Sequence, residues 1–593
     1  MRLRPNPNEQ RGSDQPLRTS DLAISLQTSL GLVKTAGTAS AVLAILLLAG
    51  GLFAPAYWPV WLAWNTLLLQ DVWLLSAFAL VISLSFLFIR RRNETFILTT
   101  NDILFCMIII IVICYYSHAY ILDGYDLTRD EQMANFDAWI FRHGHLVWPI
   151  PINWQTDSDQ LNTMFMTPVE HPIAWVSTYL PGNAILRAAV GTFVDPALTN
   201  PLLTALCVPL LWDCARRIWP GDRETASIAV IILVCSGQFL VTAMSSFAMP
   251  AHLFFNLAWL NLFLRDRWWA DMAAIPIGLF ATGLHQPLFH PMFVAPFFGL
   301  MLVERRWARL CVYTLGYLII AGFWLEWPGY IASLVSQPGS AVPASGIDFT
   351  SRLLAAIAST SDNLTLMCAN LLRFVTWQHA IALPLALTAS PALRKNRIAA
   401  CLALGIVLPI VMVGIILPYQ AHGFGYRYLH GVLGNVALLC GFGWRNLAPL
   451  HERLRWPFLG ATLGSLLVIL PIQLYMSHAR YAPFAEASVK IDRSGADYAI
   501  VNRDYGVFFG SVVYNRPDLS NRPIRLAAEM IRNPAELARR ICMKGTIVAL
   551  STTSFFRPGA DYFHVPVNPH PDADLPGLRK PFEAAGCAIT LLR

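Results

Sequence analysis

Charged residues are scarce in this sequence. Only 13% of its 593 residues are charged, whereas 55% are hydrophobic. A soluble chain of this length divides into several domains with polar connections, but here apolar runs recur that approach the roughly 20 residues needed to span a bilayer. The composition therefore excludes an ordinary soluble protein and predicts a polytopic integral membrane protein.

Signatures of redox and nucleic-acid chemistry are also missing. None of the cysteines has the paired spacing of a zinc or redox motif. The basic residues behind the net charge of +7 are scattered in short loops, which argues against nucleic acid as a partner. Cys542 and Cys587 lie in the polar C-terminal part of the chain, where a disulfide and two buried free thiols are the alternatives.

Clusters of arginine predict the topology. The positive-inside rule places such loops in the cytoplasm, and two crossings between successive clusters give about thirteen membrane helices. The arginine clusters lie at 90–92, 216–217, 265–267, 305–306, 394–397 and 445–455. The predicted spans are 38–56, 70–89, 96–117, 196–215, 225–244, 250–264, 270–285, 289–303, 309–325, 364–388, 398–417, 429–444 and 457–475. On this topology the N-terminus is cytoplasmic, and the segments 118–195 and 326–363 are external loops.

The fold class expected is an all-α polytopic membrane bundle with a long structured first external loop and a small C-terminal α/β domain. Residues 1–25 are polar and predict a disordered cytoplasmic tail. Residues 26–477 form the membrane domain. In residues 478–593, which we expect outside the membrane, short β-rich runs alternate with helical ones. This last part has no glycine-rich phosphate loop and is interpreted as an accessory domain.

The stretch DGYDLTRDEQMANFDAW, residues 123–139, gathers acids in the first external loop. Thr128 followed by Glu131 matches a capping box, and the helix dipole favours Asp130 in the first turn. Apolar residues at helical spacing predict an amphipathic helix on the membrane surface. These apolar residues are Met133, Phe136 and Ile140.

This stretch carries a resemblance to a known family. The acidic pair Asp130 and Glu131 opens a segment similar to DExxAxxxA, and HGHLVWPIP (143–151) and YLPG (179–182) follow. Over roughly residues 96–475 the chain resembles the polytopic lipid-dependent glycosyltransferases of the GT-C superfamily. That group contains the dolichyl-phosphate-mannose protein mannosyltransferases, of glycosyltransferase family 39, and the bacterial aminoarabinose transferases.

The resemblance implies an inverting glycosyltransferase of the bacterial inner membrane, with the C-terminal domain in the periplasm. It would move a sugar from a polyprenyl-phosphate-linked donor to a lipid, protein or glycan acceptor. Two departures leave the subfamily unassigned: Arg129 precedes the acidic pair where Gly is frequent, and Leu180 replaces a Pro. Such a reaction needs a carboxylate near the acceptor hydroxyl. The candidate catalytic residues are Asp130 and, beside it, Glu131, Asp126 and Asp137.

The stretch QAHGFGYRYLH, residues 420–430, supplies a candidate cation for the leaving phosphate. Arg427 stands at the outer end of a predicted span, and arginine binds phosphate through two parallel hydrogen bonds. External positive charge opposes the orientation bias and so indicates function, while an interfacial arginine that snorkels to water is the alternative. The candidate phosphate-binding residues are Arg427, His422 and Tyr426.

Two further pairs are candidates for binding a metal or the substrate. His285 and His290 lie in GLHQPLFHP, where one predicted span ends and the next begins, but their spacing matches no standard metal-ligand pattern. Hydrogen-bonded turn histidines are the alternative. Glu170 and His171 precede the YLPG motif, where a solvated loop is the alternative. Dependence on a divalent metal is left open.

A transporter or flippase of lipid-linked sugars is the alternative function. Such proteins place charges and broken helices near the bilayer midplane, whereas the predicted span interiors are almost free of charge. An acyltransferase is disfavoured because no external loop carries a His followed closely by an Asp. A structural or sensory role is a further alternative.

Overall fold

A computed structural model describes residues 19–53, 60–87, 90–162, 164–337, 360–416, 423–502, 508–564 and 575–593. Helices make up most of it. They run over Thr19–Leu52, Val60–Thr66, Val72–Leu87, Thr100–Ile121, Arg129–Arg142, Gly182–Gly191, Thr199–Ile218, Arg223–Val234, Gly237–Thr242, Met249–Leu264, Trp268–Thr282, Phe289–Val303, Trp307–Val335, Thr360–Thr376, Ala382–Leu387, Ser390–Lys395, Arg397–Ile416, Leu433–Asn446, His451–Gly464, Leu470–Asp492, Pro534–Ile541, Arg557–Phe563 and Leu575–Ala584.

The membrane-spanning character is confirmed. Within the described residues, seven helices are long and apolar enough to cross a bilayer. They are Leu26–Leu52, Leu62–Leu87, Thr100–Ile121, Pro196–Ile218, Trp307–Val335, Arg397–Ile415 and Ala448–Asp492. Shorter apolar helices accompany them, and a helix overlaps each span predicted from the sequence. The chain is therefore an integral membrane protein with a polytopic helical bundle.

Two predicted spans, 225–244 and 364–388, are broken helices. Ser236 interrupts the first because its hydroxyl caps a new helix by accepting a hydrogen bond from the Phe239 backbone N–H at 3.3 Å. The same hydroxyl donates to Gln378 Oε1, in the second break, at 2.8 Å. Each break thus supplies hydrogen-bond partners for polar groups of the other, as a buried site requires.

The segment 326–363 is only partly the loop that the sequence predicts. The helix Trp307–Val335 continues past Glu326, so the prediction is wrong for residues 326–335. The reason is an apolar row: Ile331 and Val335 are buried against the loop 118–195. Most of the remainder, 338–359, lies outside the described residues.

The loop 118–195 is structured, as predicted. It contains the helix Arg129–Arg142, which we call the acidic helix, and an antiparallel pair of short strands, β1 (Trp148–Pro149) and β2 (Ala174–Trp175). The helix Ile152–Gln160, of 3-10 type, and the helix Gly182–Gly191 complete the loop.

The C-terminal domain is built on a parallel four-stranded sheet in the order β4-β3-β5-β6. The strands are β3 (Tyr498–Val501), β4 (Ile524–Ala527), β5 (Ile547–Ser551) and β6 (Ala588–Leu592). The sheet begins at Tyr498, and the predicted boundary at 478 lies within the helix Leu470–Asp492. Cys542 and Cys587 form a disulfide.

One apolar core joins the C-terminal domain to the loop 118–195. Phe136 and Trp175 of the loop belong to the same buried cluster as Leu526 and Val548 of the sheet. Burial of these side chains stabilises the contact by removing apolar area from water. The C-terminal domain is therefore held directly over the acidic helix.

Candidate active site

The acidic helix begins with the capping box that the sequence predicts. The Thr128 hydroxyl accepts a hydrogen bond from the Glu131 backbone N–H at 3.4 Å, and the Glu131 carboxylate accepts one from the Thr128 backbone N–H at 3.1 Å. The Tyr481 hydroxyl also donates to Glu131, at 3.0 Å. Burial, together with the nearby charge of Asp126, raises the pKa of Glu131. Glu131 thus has a clear role at the start of the helix.

The prediction that this helix lies on the membrane surface is wrong. Gln132 and Asp137, on its polar side, are buried along with its apolar side. Arg129 donates hydrogen bonds to the backbone carbonyls of Gly510 at 2.7 Å and Val513 at 2.6 Å. Arg129, which stands where similar motifs frequently have Gly, therefore fastens the acidic helix to the C-terminal domain that covers it.

Asp130 and Arg427, which are 297 positions apart in the chain, form an ion pair. Arg427 Nη1 donates to Asp130 Oδ2, and the Tyr179 hydroxyl donates to Asp130 Oδ1. The side chains of Arg427 and Asp130 are only 5% and 12% exposed. The guanidinium of Arg427 also lies over the ring of Phe247, 5.0 Å from its centre. The structure thus brings together the predicted catalytic carboxylate and the predicted phosphate-binding cation.

Tyr179 is a site residue that the sequence alone does not single out, although it opens the YLPG motif. Gly182 of that motif donates its backbone N–H to the Gly283 carbonyl at 2.8 Å. A Cβ atom on Gly182 would lie 2.6 Å from the same oxygen, so the close approach requires glycine. It places the Tyr179 ring against His285, with ring centres 4.9 Å apart. The sequence feature that could have identified Tyr179 is its hydroxyl group within the YLPG motif.

His285 and His290 are separated by the fold. Burial lowers the pKa of His285 to about 4, so its imidazole is neutral at pH 7. His290 lies in the next helix, where its ring nitrogens are 2.7 Å from Asn256 Oδ1 and 2.7 Å from the Tyr317 hydroxyl. Across the described residues, no cluster of three or more His, Cys, Asp or Glu side chains is arranged to hold a metal ion.

Asp126 belongs to a second polar network beside the ion pair. Asn135 donates to Asp126 Oδ2 at 2.5 Å. Arg187 donates to Asn135 Oδ1 at 2.7 Å and to the Ser246 hydroxyl at 2.9 Å. Arg187 is not among the residues predicted from the sequence, although, like Arg427, it carries positive charge on the side where the positive-inside rule disfavours it.

The remaining predicted residues lie away from the ion pair. Tyr426 is buried in the bundle, where its hydroxyl contacts Met367 Sδ at 3.5 Å. Glu170 and His171 are exposed before β2, and among the described residues neither forms a hydrogen bond or an ion pair. His422 lies outside the described residues.

A small enclosed cavity of about 10 Å³ lies next to Arg427, with room for about one water molecule. His252 is fully buried there, and both of its ring nitrogens lack a hydrogen-bond partner among the described residues. The lining includes His252, Asn256, Phe289, Arg427, Tyr428 and Gly431. A buried polar ring without a partner is costly, which marks His252 as a residue of the site.

Asp137 is bound by Ser177, about two turns along the acidic helix from Asp130. The Ser177 backbone N–H donates to Asp137 Oδ1 at 2.9 Å, and the Ser177 hydroxyl donates to Oδ2 at 2.5 Å. Burial raises the pKa of Asp137 from about 3.8 to about 7. Asp137 therefore ties the acidic helix to the segment that leads to Tyr179.

The raised pKa of Asp137 predicts a pH-dependent stability. The folded protein keeps the proton that the unfolded chain loses above about pH 4, so stability is highest below about pH 4 and falls as the pH rises to about 7. The loss amounts to at most about 4 kcal/mol. We expect the stability of Asp137→Asn, whose side chain stays neutral, not to fall in this way as the pH rises. The measurement is the apparent Tm of both proteins in detergent at pH 5 and at pH 8. If the Tm difference between the two proteins were the same at both pH values, this assignment would be wrong.

The fold and the site together define a class: a polytopic membrane protein with a buried Asp–Arg pair at the end of its helical bundle, beneath a C-terminal α/β domain. No protein-family model matches the chain, and no curated protein matches it. Among solved structures, it is similar to ArnT from Cupriavidus metallidurans bound to undecaprenyl phosphate, with a TM-score of 0.46, 13% identity, and coverage of 71% of this chain and 86% of that one.

It is also similar to the Archaeoglobus fulgidus oligosaccharyltransferase tethered with an acceptor peptide, with a TM-score of 0.40, 13% identity, and coverage of 77% of this chain and 68% of that one. Both proteins are GT-C superfamily glycosyltransferases. Similarity at this level shows neither the family nor the reaction of this chain.

Proposed function

We propose that this protein is a membrane glycosyltransferase that moves a sugar from a polyprenyl-phosphate-linked donor to an acceptor at the extracytoplasmic face. The observation that supports it best is the contact between Asp130 and Arg427. Transfer of a sugar from a lipid phosphate needs a carboxylate at the acceptor hydroxyl and a cation at the departing phosphate. Here the two groups meet in a buried site at one end of a membrane bundle.

In the proposed reaction the acceptor oxygen attacks the anomeric carbon on the face opposite the phosphate, with inversion. The new bond joins the acceptor oxygen to the sugar, and the bond between the sugar and the phosphate breaks. Asp130 takes the proton of the acceptor hydroxyl. Arg427 binds the phosphate oxygens, on which negative charge increases as the bond breaks.

Arg427→Ala tests the proposed donor site. A hydrogen bond to a charged group contributes about 1.5–3 kcal/mol, so we expect donor affinity to fall roughly 10- to 100-fold. Arg427→Lys keeps the charge but loses the paired hydrogen bonds, so its donor affinity should lie between those of the unmodified protein and Arg427→Ala. The measurement is equilibrium binding of a polyprenyl-phosphate sugar to purified protein in detergent.

The matched control is Arg532→Ala, because the Arg532 side chain is 83% exposed and contacts Asp159 at 3.5 Å. It should bind donor as the unmodified protein does. Donor affinity that is unchanged in Arg427→Ala would remove Arg427 from the donor site and leave it only as the ion-pair partner of Asp130.

Two observations favour the alternative, a transporter or flippase of lipid-linked sugars. Asp71 and Arg373 form a fully buried ion pair inside the membrane bundle, and the broken helices pack against one another at Ser236 and Gln378. Both features are typical of transport proteins. Proteoliposomes holding a polyprenyl-phosphate sugar distinguish the two functions: a transferase breaks the bond between sugar and phosphate and changes the mass of the lipid, whereas a flippase moves the lipid unchanged.

A further inference from the structure

The proposed reaction uses Asp130 and Arg427 but cannot proceed while the two side chains remain in contact. An inverting displacement places the base and the leaving group on opposite faces of the anomeric carbon, with the sugar between them. In the structure these two side chains touch each other directly. They must separate before the sugar can enter between them.

The charges of the site also require Asp130 and Arg427 to separate before the donor binds. The pair is neutral as it stands, and both side chains are buried. A donor phosphate placed beside the intact pair would bring a second anion close to the Asp130 carboxylate, and like charges repel strongly where water is largely excluded. A phosphate that replaces the carboxylate on Arg427 keeps the guanidinium paired.

The surroundings permit such an exchange. The Tyr179 hydroxyl holds the other oxygen of Asp130, so the carboxylate keeps an orienting partner after Arg427 has left it. Arg427 also lines the small cavity beside His252, so its side chain is not tightly enclosed on every side.

We infer that Asp130 is a built-in competitor of the donor: in the resting protein its carboxylate occupies the place on Arg427 that the lipid phosphate takes, and donor binding releases it to act as the base. This inference rests on the proposed function. It couples the two roles of the site, because the base is freed only when the donor is bound. Water or an acceptor that arrives first meets a carboxylate held by Arg427.

We expect Asp130→Asn to strengthen the binding of lipid phosphate, although it removes the proposed base. Loss of the competing negative charge should make this variant bind lipid phosphate at least tenfold more tightly than the unmodified protein. Asp130→Ala should shift the affinity in the same direction, since it removes the same charge by another side chain. The probe is undecaprenyl phosphate without sugar, titrated in detergent and followed by native mass spectrometry, with size-exclusion chromatography as the check on folding.

Each outcome has a distinct meaning. Tighter binding by both variants supports the inference, and equal or weaker binding by a folded Asp130→Asn or Asp130→Ala protein overturns it while the proposed function stands. If neither the unmodified protein nor the variants bind undecaprenyl phosphate, the proposed donor site itself fails. Uncharged undecaprenol should show no such gain, and an equal gain with it would overturn the role of charge. A gain for inorganic phosphate alone would identify free phosphate as the competing anion and overturn the lipid assignment.

Discussion

Sugar transfer by Asp130→Asn is expected to fall by about 10²–10⁴-fold, the usual contribution of a positioned general base. Asparagine has nearly the same shape as aspartate and still accepts the hydrogen bond from Tyr179, but it cannot take the proton of the acceptor. The measurement is the rate of product formation from a polyprenyl-phosphate sugar at saturating donor. Because donor is saturating, the tighter phosphate binding expected of this variant does not mask the loss of the chemical step.

Asp123→Asn is the matched control for this loss. Asp123 is exposed in the same loop and has a left-handed backbone, with φ of 53°, a conformation that asparagine tolerates well. Its transfer rate should equal that of the unmodified protein. Near-normal sugar transfer by a folded Asp130→Asn protein would contradict the assignment of Asp130 as the base.

The largest effect on stability is expected from Arg373→Met. Arg373 Nε and Nη2 both donate to Asp71 Oδ2 at 3.1 Å, and both side chains are completely buried. Removal of the arginine leaves the Asp71 carboxylate buried without this cation, which destabilises a protein by about 4 kcal/mol. The apparent Tm in detergent should fall by several degrees, roughly as the lost free energy requires.

Two comparisons test this explanation. The double variant Asp71→Leu/Arg373→Met lacks both members of the pair, so neither charge is left buried without the other, and it should recover most of the lost stability. Arg397→Met removes an arginine that is 62% exposed and pairs with Glu304 at 3.3 Å, so it should cost less than about 1 kcal/mol. A double variant as unstable as the single one would show that the arginine stabilises the bundle through packing and not through its charge.

Local signals were sufficient for several features of the site. The capping box at Thr128 and Glu131 depends on residues three positions apart, and the structure forms it. The sequence indicates Asp130 by its place at the start of a helix within a family-like motif, and Arg427 by a charge that opposes the orientation bias. Neither pattern points to the other residue, and the fold places the two in contact.

Other features depended on contacts between distant segments. The acidic helix has the apolar pattern of a surface helix, but contacts with distant segments make its polar side an interior one. Arg129 binds Gly510 and Val513 of the C-terminal domain, and Ser177 of the loop binds Asp137. The histidines at 285 and 290 are close in sequence, but a helix start between them directs one to Tyr179 and the other to Asn256 and Tyr317. Sequence proximity is a poor guide to such a pair.

The sequence by itself determined that this chain enters a membrane and roughly where its apolar helices lie, and it singled out the acid and the arginine that we propose for the reaction. These depend on composition, on the period of apolar residues and on charges out of place, all of which are local properties. The tertiary structure alone decided that Asp130 and Arg427 neutralise each other, that Tyr179 holds the carboxylate, and that Asp137 is buried. Each of these depends on which surfaces exclude water together, and that is settled only when the loop, the bundle and the C-terminal domain have packed.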